Sequence, residues 1–540
     1  MSEKLIKSGV IVSTMTLVSR VLGLVRDVVI ANVMGAGAMA DVFLFANKIP
    51  NFFRRLFAEG AFAQAFVPVL SEYNTKDEIN AESSDLVENN AKLDVSLNET
   101  KRLIAQVSGT LGVIITLVTL FGMLASPLFV ILFGGGWFVD WFHNGSESVG
   151  GEKFELAASL LKITFPYLWF ISFTALAGAV LNTMGRFAVA AFTPVLLNIA
   201  IILMAVYGAE YTQSPAYALA WGVFLGGLIQ FLFQIPFLYK AGVLVKPCWS
   251  WHSKGVTKIR KLIIPALFGV SVTQINLLLD TLIASFLITG SISWLYYADR
   301  LLEFPLGLFG IGIATVILPS LAKLHSKNSD MEFTATLDWG IKVISLFGWP
   351  ALAGLMVLAQ PIIMVLFMRG EFSQNDVVQV SMALFAYLSG LLSFMFIKVL
   401  APGYYARQDT KTPVKIGIIA MVSNMAFNLM LAPFFGFVGL AIATTLSATL
   451  NAWLLYRGLK QAGVYRLSKS TKVFIGKLVL SALVMAWVVY QLSNDFDLWL
   501  VMSFTEQVLQ LIICIGGGCL SYFVMIALLG VRLGDFKVKN

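Results

Sequence analysis

The sequence has few of the residues from which soluble catalytic sites are built. Only 13% of its 540 residues are charged, and its three cysteines and three histidines show no disulfide or metal-site spacing. No G-x-x-x-x-G-K-[ST] segment occurs, so ATP bound at such a loop is excluded as an energy source. A composition that is 58% hydrophobic excludes an ordinary soluble domain. Neither an enzyme nor a nucleic-acid-binding protein is indicated, and the net charge of +8 must be explained by where the cations lie.

Apolar runs long enough to cross a bilayer recur along the whole chain. If the N-terminus is cytoplasmic, the inner segments hold 27 lysines and arginines, and the outer segments hold only Lys153 and Arg369. This distribution predicts that both termini are cytoplasmic. The fourteen predicted helices cover residues 8–35, 38–72, 102–133, 155–184, 187–208, 215–240, 257–288, 291–322, 333–367, 376–405, 413–433, 437–459, 472–493 and 502–531.

An internal repeat groups most of these helices into two lobes. Residues 123–138 match residues 357–372 with seven identities, and residues 45–52 resemble residues 297–304 in the same predicted membrane direction. The predicted fold class is an all-α integral membrane protein with fourteen transmembrane helices, two pseudo-symmetric six-helix lobes and two C-terminal helices. The predicted domains are an N-terminal lobe (1–241, helices one to six), a C-terminal lobe (242–465, helices seven to twelve) and helices thirteen and fourteen (466–540).

Charged residues inside the predicted helices point to a binding site. Each cation at a helix centre costs about 2.5 to 3.5 kcal/mol, so most of them are expected to face a polar interior. Helices one and two together hold five cations and three acids, an excess of two positive charges that suits a substrate such as a diphosphate. Salt bridges that only stabilise the bundle are the alternative interpretation. The charged residues concerned are Arg20, Arg26 and Asp27 in helix one, Asp41, Lys48, Arg54, Arg55 and Glu59 in helix two, and Asp299, Arg300 and Glu303 in helix eight.

Helical spacing predicts which of these charges are neighbours. Arg20 and Asp27 share one face of helix one, and Arg55 can pair with Glu59 one turn later. Arginine is the residue expected in a phosphate site, because its planar guanidinium binds two phosphate oxygens and keeps its proton.

A cation site is a second hypothesis. Asp280 in helix seven, Asn424 and Asn428 in helix eleven, and Thr444 in helix twelve carry oxygen atoms that could bind a sodium ion. Hydrogen bonding between helices explains the same residues and is the favoured interpretation. No other cofactor is predicted.

Two connecting segments differ in character. Residues 74–100 are acidic and rich in asparagine and serine, which predicts a solvated linker on the inner side. Residues 134–151 contain Trp137, Trp141 and several glycines, which predicts a flexible outer turn with interfacial aromatic anchors.

Four segments resemble the hallmark segments of the MurJ (MviN) lipid II flippases. They are residues 19–27 (SRVLG followed by RD), 51–60 (NFFRRLFAEG), 299–307 (DRLLEFPLG) and 401–410 (APGYYARQDT). The resemblance covers essentially the whole chain and implies membership of the multidrug/oligosaccharidyl-lipid/polysaccharide exporter superfamily, with fourteen helices around a central cationic cavity. Only the linker at residues 74–100 departs from the family, because it is longer than usual.

The resemblance also implies a function. It is transport of undecaprenyl-diphosphate-linked disaccharide-pentapeptide from the cytoplasmic to the periplasmic leaflet of the bacterial inner membrane, for cell wall biogenesis and cell shape. The implied partners are lipid II, membrane lipids and peptidoglycan-synthesis proteins, and helices thirteen and fourteen are candidates for a lipid-tail groove. The family's cavity residues carry over onto Arg20, Arg26, Asp41, Arg54, Arg300 and Glu303, and their neighbours Asp27 and Arg55 complete the predicted substrate site.

Two other classes compete with this interpretation. A cation-coupled multidrug or other polyprenyl-oligosaccharide exporter of the same superfamily would share the fold. A drug exporter for cationic substrates should favour acids and aromatic residues in its cavity, which the arginine excess argues against. A non-transporting membrane scaffold would have no evident use for paired lobes or for charges at the membrane midplane.

Overall fold

The computed structural model describes residues 3–56, 62, 65–73, 86–493, 495–532 and 534. Within these ranges the chain is helical and has no strand, which confirms the predicted all-α class. The helices form two compact units, residues 1–289 and 290–540.

The first unit is a bundle of long helices joined by short helices and turns. In this unit α1 packs on α8, α8 on α9, α9 on α7, and α2 on α6. Its helices are α1 (Glu3–Met34), α2 (Ala38–Arg54), α3 (Leu86–Leu124), α4 (Ser126–Phe133), α5 (Gly135–Asn144), α6 (Val149–Thr164), α7 (Pro166–Thr183), α8 (Phe187–Tyr207), α9 (Pro215–Lys240) and α10 (Lys254–Ala284). Residues 65–73 are also helical and contribute to a buried apolar cluster with α3, α7 and the start of α10.

The second unit is helical in the same way. Here α11 packs on α14, α15 on α16, α13 on α17, and α17 on α19. Its helices are α11 (Ser291–Pro305), a π-helical turn (Leu306–Ile311), α12 (Gly312–Ser326), α13 (Asp330–Phe367), α14 (Gln374–Leu388), α15 (Leu391–Tyr405), α16 (Lys411–Gln461), α17 (Lys469–Leu492), α18 (Phe496–Val501) and α19 (Phe504–Leu528). Buried side chains of α13, α17 and α19 form an apolar cluster that joins the two C-terminal helices to the rest of the unit.

Many of these helices have the length and composition of membrane spans. In the part of the chain that the structure describes, nine helices qualify, and the bent α14–α15 pair would be a tenth. The multi-span prediction is confirmed. The count of fourteen stays a prediction.

Helix α16 consists of two helices that meet at Gly436. A straight helix of 51 residues would be about 77 Å long, more than twice the hydrocarbon thickness of a bilayer. Gly436 has φ 56° and ψ −137°, a conformation in which a residue with a Cβ would be strained. The break expected between residues 433 and 437 falls at this glycine.

The domain boundaries predicted from the repeat lie at residues 241 and 465. In the structure, α10 belongs to the first unit, where it contacts α2, α3, α4 and α5. The compact units therefore divide the chain after Thr289 instead of before α10. The predicted lobes, residues 1–241 and 242–465, were defined by the internal sequence repeat and not by packing, and they stay a prediction.

Parts of both connecting segments are helical in the described residues. Residues 86–100 are part of α3, and residues 74–85 lie outside the described residues. The predicted flexible outer turn contains α5, and Trp137 is buried against Phe45. Asn144 and the backbone N–H of Gly150 donate hydrogen bonds to Asp140, and these bonds lower the pKa of its carboxyl group. The bond from the backbone N–H of Gly150 to Asp140 therefore ties the two ends of this segment together.

Gly222 and Gly226 let α8 and α9 approach closely. A Cβ on Gly226 would lie 2.5 Å from Leu197 Cδ1 and 3.2 Å from Leu197 Cα, and one on Gly222 would lie 3.1 Å from Ile201 Cα. Small residues at this spacing are a common helix-packing device in membranes.

Replacing Gly226 with leucine is therefore expected to destabilise the protein by about 1 to 3 kcal/mol, because α8 and α9 must separate. The melting temperature of the purified protein in detergent measures the effect. Gly476→Leu is the matched control, because a Cβ on this glycine of α17 meets no atom within 4 Å. Equal melting temperatures for the two variants would contradict the packing role.

Candidate substrate-binding site

Arg26 is held inside the first unit by two neighbours. Its guanidinium contacts Asp27 Oδ1 at 2.7 Å through Nη2 and at 3.0 Å through Nε, and its Nη1 donates to Asn198 Oδ1 at 3.1 Å. The side chain of Arg26 is 14% exposed and that of Asp27 is 2% exposed. Asn198 of α8 in turn donates to the carbonyl of Ser19 in α1, and this bond fixes the amide that orients the arginine. Two elements thus determine the direction of this guanidinium.

The structure shows an ion pair between two neighbouring residues of α1. Asp27 forms an ion pair with its chain neighbour Arg26, whereas helical spacing grouped it with Arg20. Adjacent residues can pair because a long guanidinium folds back along the helix surface. Arg20 is exposed and forms no side-chain hydrogen bond or ion pair with the described part of the chain. Its predicted role in binding stays a prediction.

The cations of α2 contact neutral acceptors. Arg54 Nε donates to Asn51 Oδ1 at 3.0 Å, Arg55 Nη1 donates to Gln274 Oε1 at 3.2 Å, and Lys48 Nζ donates to Thr281 Oγ1 at 3.2 Å. Gln274 and Thr281 belong to α10, so polar residues of that helix line the cationic side of α2. The predicted partner of Arg55, Glu59, lies outside the described residues.

Asp41 is buried near the start of α2. Its Oδ2 lies 3.4 Å from Nζ of Lys153 in α6, and both side chains are at most 5% exposed. The sequence assigned Lys153 to an outer connecting segment, but the structure places it inside the unit. This second buried pair adds a cation to the seven charged residues predicted for helices one and two that the structure describes.

The predicted residues Arg300 and Glu303 lie on α11 of the second unit. Arg300 Nη1 lies 3.0 Å from Glu303 Oε2, and its guanidinium carbon lies 5.1 Å from the ring centre of Tyr296. The two side chains are 35% and 51% exposed, so this pair is accessible in the described structure. A π-helical turn follows at Leu306–Ile311. Residues 55 and 56, about 252 positions earlier, have the same π-helical winding.

Three residues of the predicted cation site come together in α16. Asn428 Nδ2 donates to Asn424 Oδ1 at 3.1 Å, and Asn424 Nδ2 lies 3.4 Å from Thr444 Oγ1. Both asparagines are buried. This is the hydrogen bonding across a helix pair that the favoured interpretation predicts. Asp280 belongs to the first unit, and a sodium site that includes it stays a prediction.

Sequence reasoning missed three polar residues that hold the predicted ones. Asn198 orients Arg26, Lys153 pairs with Asp41, and Tyr296 lies against Arg300. An asparagine within the apolar run of residues 187–207 was a signal that could have been used. Lys153 was among the two cations on the wrong side of the positive-inside distribution, which was also a signal. Tyr296 gave no distinguishing signal, because tyrosine is common in membrane helices.

These features define a class of protein. Long apolar helices that bury arginines, lysines and carboxylates are typical of a multi-span membrane transporter for a polar substrate. The chain belongs to the lipid II flippase MurJ family, since the family model "Lipid II flippase MurJ" matches residues 30–510. The predicted family is thereby confirmed.

Similar proteins extend over nearly the whole chain. A Vibrio cholerae protein described as a probable lipid II flippase MurJ is 60% identical over 539 residues, which cover 100% of this chain and 99% of the relative. A solved structure of lipid II flippase MurJ in an inward closed conformation has a TM-score of 0.74 at 27% identity and covers 96% of this chain and 98% of its own. An inward-facing multidrug resistance MATE transporter of the MOP superfamily has a TM-score of 0.64 at 15% identity, over 84% of this chain and 97% of its own, and shows the shared fold.

Proposed function

We propose that this chain is a lipid II flippase, which moves the lipid-linked peptidoglycan precursor from the cytoplasmic to the periplasmic leaflet of the bacterial inner membrane. Family membership and the full-length similarity to named lipid II flippases support this function. In the structure, the observation that carries it is Arg26, a largely buried guanidinium oriented by Asp27 and Asn198 among apolar helices. Burying a charged side chain among apolar helices costs free energy, so the presence of Arg26 there indicates a role in binding or transport.

The diphosphate of lipid II is the group that these cations suit. Arg20, Arg26, Arg54 and Arg300 would bind its oxygens, because guanidinium groups form charge-assisted hydrogen bonds in pairs and stay protonated. Neutral acceptors such as Asn51 and Asn198 hold the arginines in place. Phosphate oxygens would then compete with amide oxygens for the same N–H groups, and the charged acceptor makes the stronger bond.

The transport cycle that fits these residues is alternating access. The headgroup would enter from the cytoplasmic side and leave on the periplasmic side while the prenyl tail stays in the lipid. The C-terminal helices α17 and α19 are proposed to form a groove for this tail, since they pack on each other and leave many apolar side chains exposed. Both termini are proposed to be cytoplasmic, in agreement with the distribution of lysines and arginines. Membrane lipids and peptidoglycan-synthesis proteins are the proposed partners.

Depletion of the protein from cells separates this function from drug export. We expect lipid-linked precursors to accumulate at least several-fold within one or two generations, because their exit is blocked. Efflux of cationic dyes should be unchanged, since an arginine-rich site repels cations. Extraction and quantification of lipid II, with a dye-efflux assay on the same cultures, measure both quantities.

A plasmid copy of the wild-type gene is the control and should restore the precursor level. Loss of dye efflux without accumulation of precursor would favour the cation-coupled multidrug exporter. Accumulation of a different polyprenyl-linked sugar would favour an oligosaccharide exporter of the same superfamily.

A further inference from the structure

Lys153 is a buried cation with three partners from three elements of the first unit. Its Nζ lies 3.4 Å from Asp41 Oδ2, donates to Thr289 Oγ1 at 3.0 Å, and lies 5.5 Å from the ring centre of Trp137. A buried ammonium group requires such contacts, because its desolvation is costly without a charge partner and hydrogen bonds. The partner Thr289 differs from the others, since it is exposed.

Thr289 marks the point where the chain leaves the first unit. It is the last residue of that unit, and the next residue, Gly290, begins the second unit with a left-handed φ of 97°. Water could satisfy an exposed threonine hydroxyl, so its own solvation does not require the bond to Lys153. What the bond does is fix the position of this connection relative to α6.

Two further hydroxyl groups attach the same stretch to the first unit. Thr281 Oγ1 accepts from Lys48 of α2, and Ser285 Oγ accepts from the backbone N–H of Gly136 in α5 at 3.0 Å. With Thr289, these residues are spaced four apart. We call Thr281, Ser285 and Thr289 the hydroxyl ladder. Of the donors to this ladder, Lys153 also contacts a predicted substrate-site residue, Asp41.

We propose that Lys153 is a positioning residue for lipid II transport. It holds Asp41 with one contact and the last residue of the hydroxyl ladder with another, so that the segment after α10 keeps Asp41 in position through Lys153. This inference rests on the proposed function, because it assigns Lys153 a part in the same transport cycle. A carboxylate held at a fixed position keeps its geometry toward a bound substrate, whereas a loosely held one does not.

Thr289→Val tests the proposal, because it removes one hydroxyl from an exposed side chain and leaves the Asp41–Lys153 pair intact. The full-length protein is reconstituted in vesicles with fluorescent lipid II, and the fraction exposed to a membrane-impermeant quencher is followed over time. We expect the transport rate to fall roughly five- to tenfold, the ratio that corresponds to one hydrogen bond. Thr289→Ser keeps the hydroxyl and should stay within about twofold of the wild type.

Thr212→Val is the matched control. Thr212 lies in the connection between α8 and α9, and its hydroxyl bonds to the carbonyls of Gly208 and Ser214 without any charged partner. This variant should transport lipid II at the wild-type rate. The melting temperature of Thr289→Val should fall by no more than about 1 to 3 °C, because Lys153 keeps its ion pair with Asp41, so a five- to tenfold loss of rate would exceed what the lost stability explains.

Lys153→Arg provides a second measurement, because arginine can keep both the ion pair and the bond to Thr289. It should retain most of the transport rate if the contacts themselves are required. A wild-type rate for Thr289→Val, or a loss of rate that follows a loss of melting temperature, would overturn the inference and leave the proposed function standing. Failure of the wild-type protein to move lipid II would instead contradict the proposed function.

Discussion

Replacing Arg26 with alanine is expected to abolish lipid II export while the protein still inserts into the membrane. The substitution removes the guanidinium that Asp27 and Asn198 orient, and with it charge-assisted hydrogen bonds of about 1.5 to 3 kcal/mol each. Losing one such bond to the diphosphate would slow transport roughly 10- to 150-fold. Growth of a strain that depends on this chain, together with its lipid II level, measures the effect. Normal export by Arg26→Ala would refute the proposed site.

Two further variants separate function from folding. Arg26→Ala removes the cation that contacts the buried carboxylate of Asp27, and breaking a buried ion pair destabilises a protein by about 3 to 5 kcal/mol. The double variant Arg26→Ala/Asp27→Asn removes that charge and should recover the amount of inserted protein but not export. Arg26→Lys keeps the charge without the planar fork, so we expect partial activity. Recovered export in the double variant would show that the arginine serves only the fold.

Collapsing the membrane potential is expected to have the second large effect. Movement of an anion outward across an inside-negative membrane is favoured by about 2.3 kcal/mol per charge per 100 mV. A headgroup with two negative charges would gain about 4.6 kcal/mol at 100 mV, or roughly 10³-fold in its distribution between leaflets. Vesicles with a potassium gradient and valinomycin set the potential, and quencher-accessible fluorescent lipid II reports the distribution.

Sodium replacement in the same vesicles tests the predicted cation site. If the potential alone drives export, replacing sodium by choline should change the distribution less than twofold. If sodium is coupled, a sodium gradient should drive transport without a potential, and Asn428→Ala should abolish that component because it disrupts the contact with Asn424. A distribution that responds to neither gradient would exclude electrogenic and sodium-coupled export together.

The class of protein and its charged residues were predictable from the sequence for a physical reason. An apolar run long enough to cross a bilayer predicts a transmembrane helix. A charged residue within such a run is unusual, because its burial in lipid is costly. Arg26, Arg54 and Arg300 could be singled out in this way. Hallmark segments supplied the family, which the comparisons confirm.

The partners of these charges were not predictable in the same way. Helical spacing relates residues on one helix, but Arg26 is also oriented by Asn198, 172 positions further along the chain. The solvent exposure of a side chain was not predictable either. Lys153 falls in a predicted connecting segment but is buried in the structure. The assignment of α10 to the first unit depends on packing against α2 to α5, which no repeat encodes.

By itself, the sequence determined that this is a multi-span helical membrane protein with cations at positions where lipid would reject them, because hydropathy and charge are properties of single residues and short runs. Only the tertiary structure decided which carboxylate or amide meets each cation, that Lys153 joins Asp41 to Thr289, and that Trp137 is buried. The contacts of Lys153 with Asp41 and Thr289 join residues more than 100 positions apart, and their geometry exists only after the helices have packed.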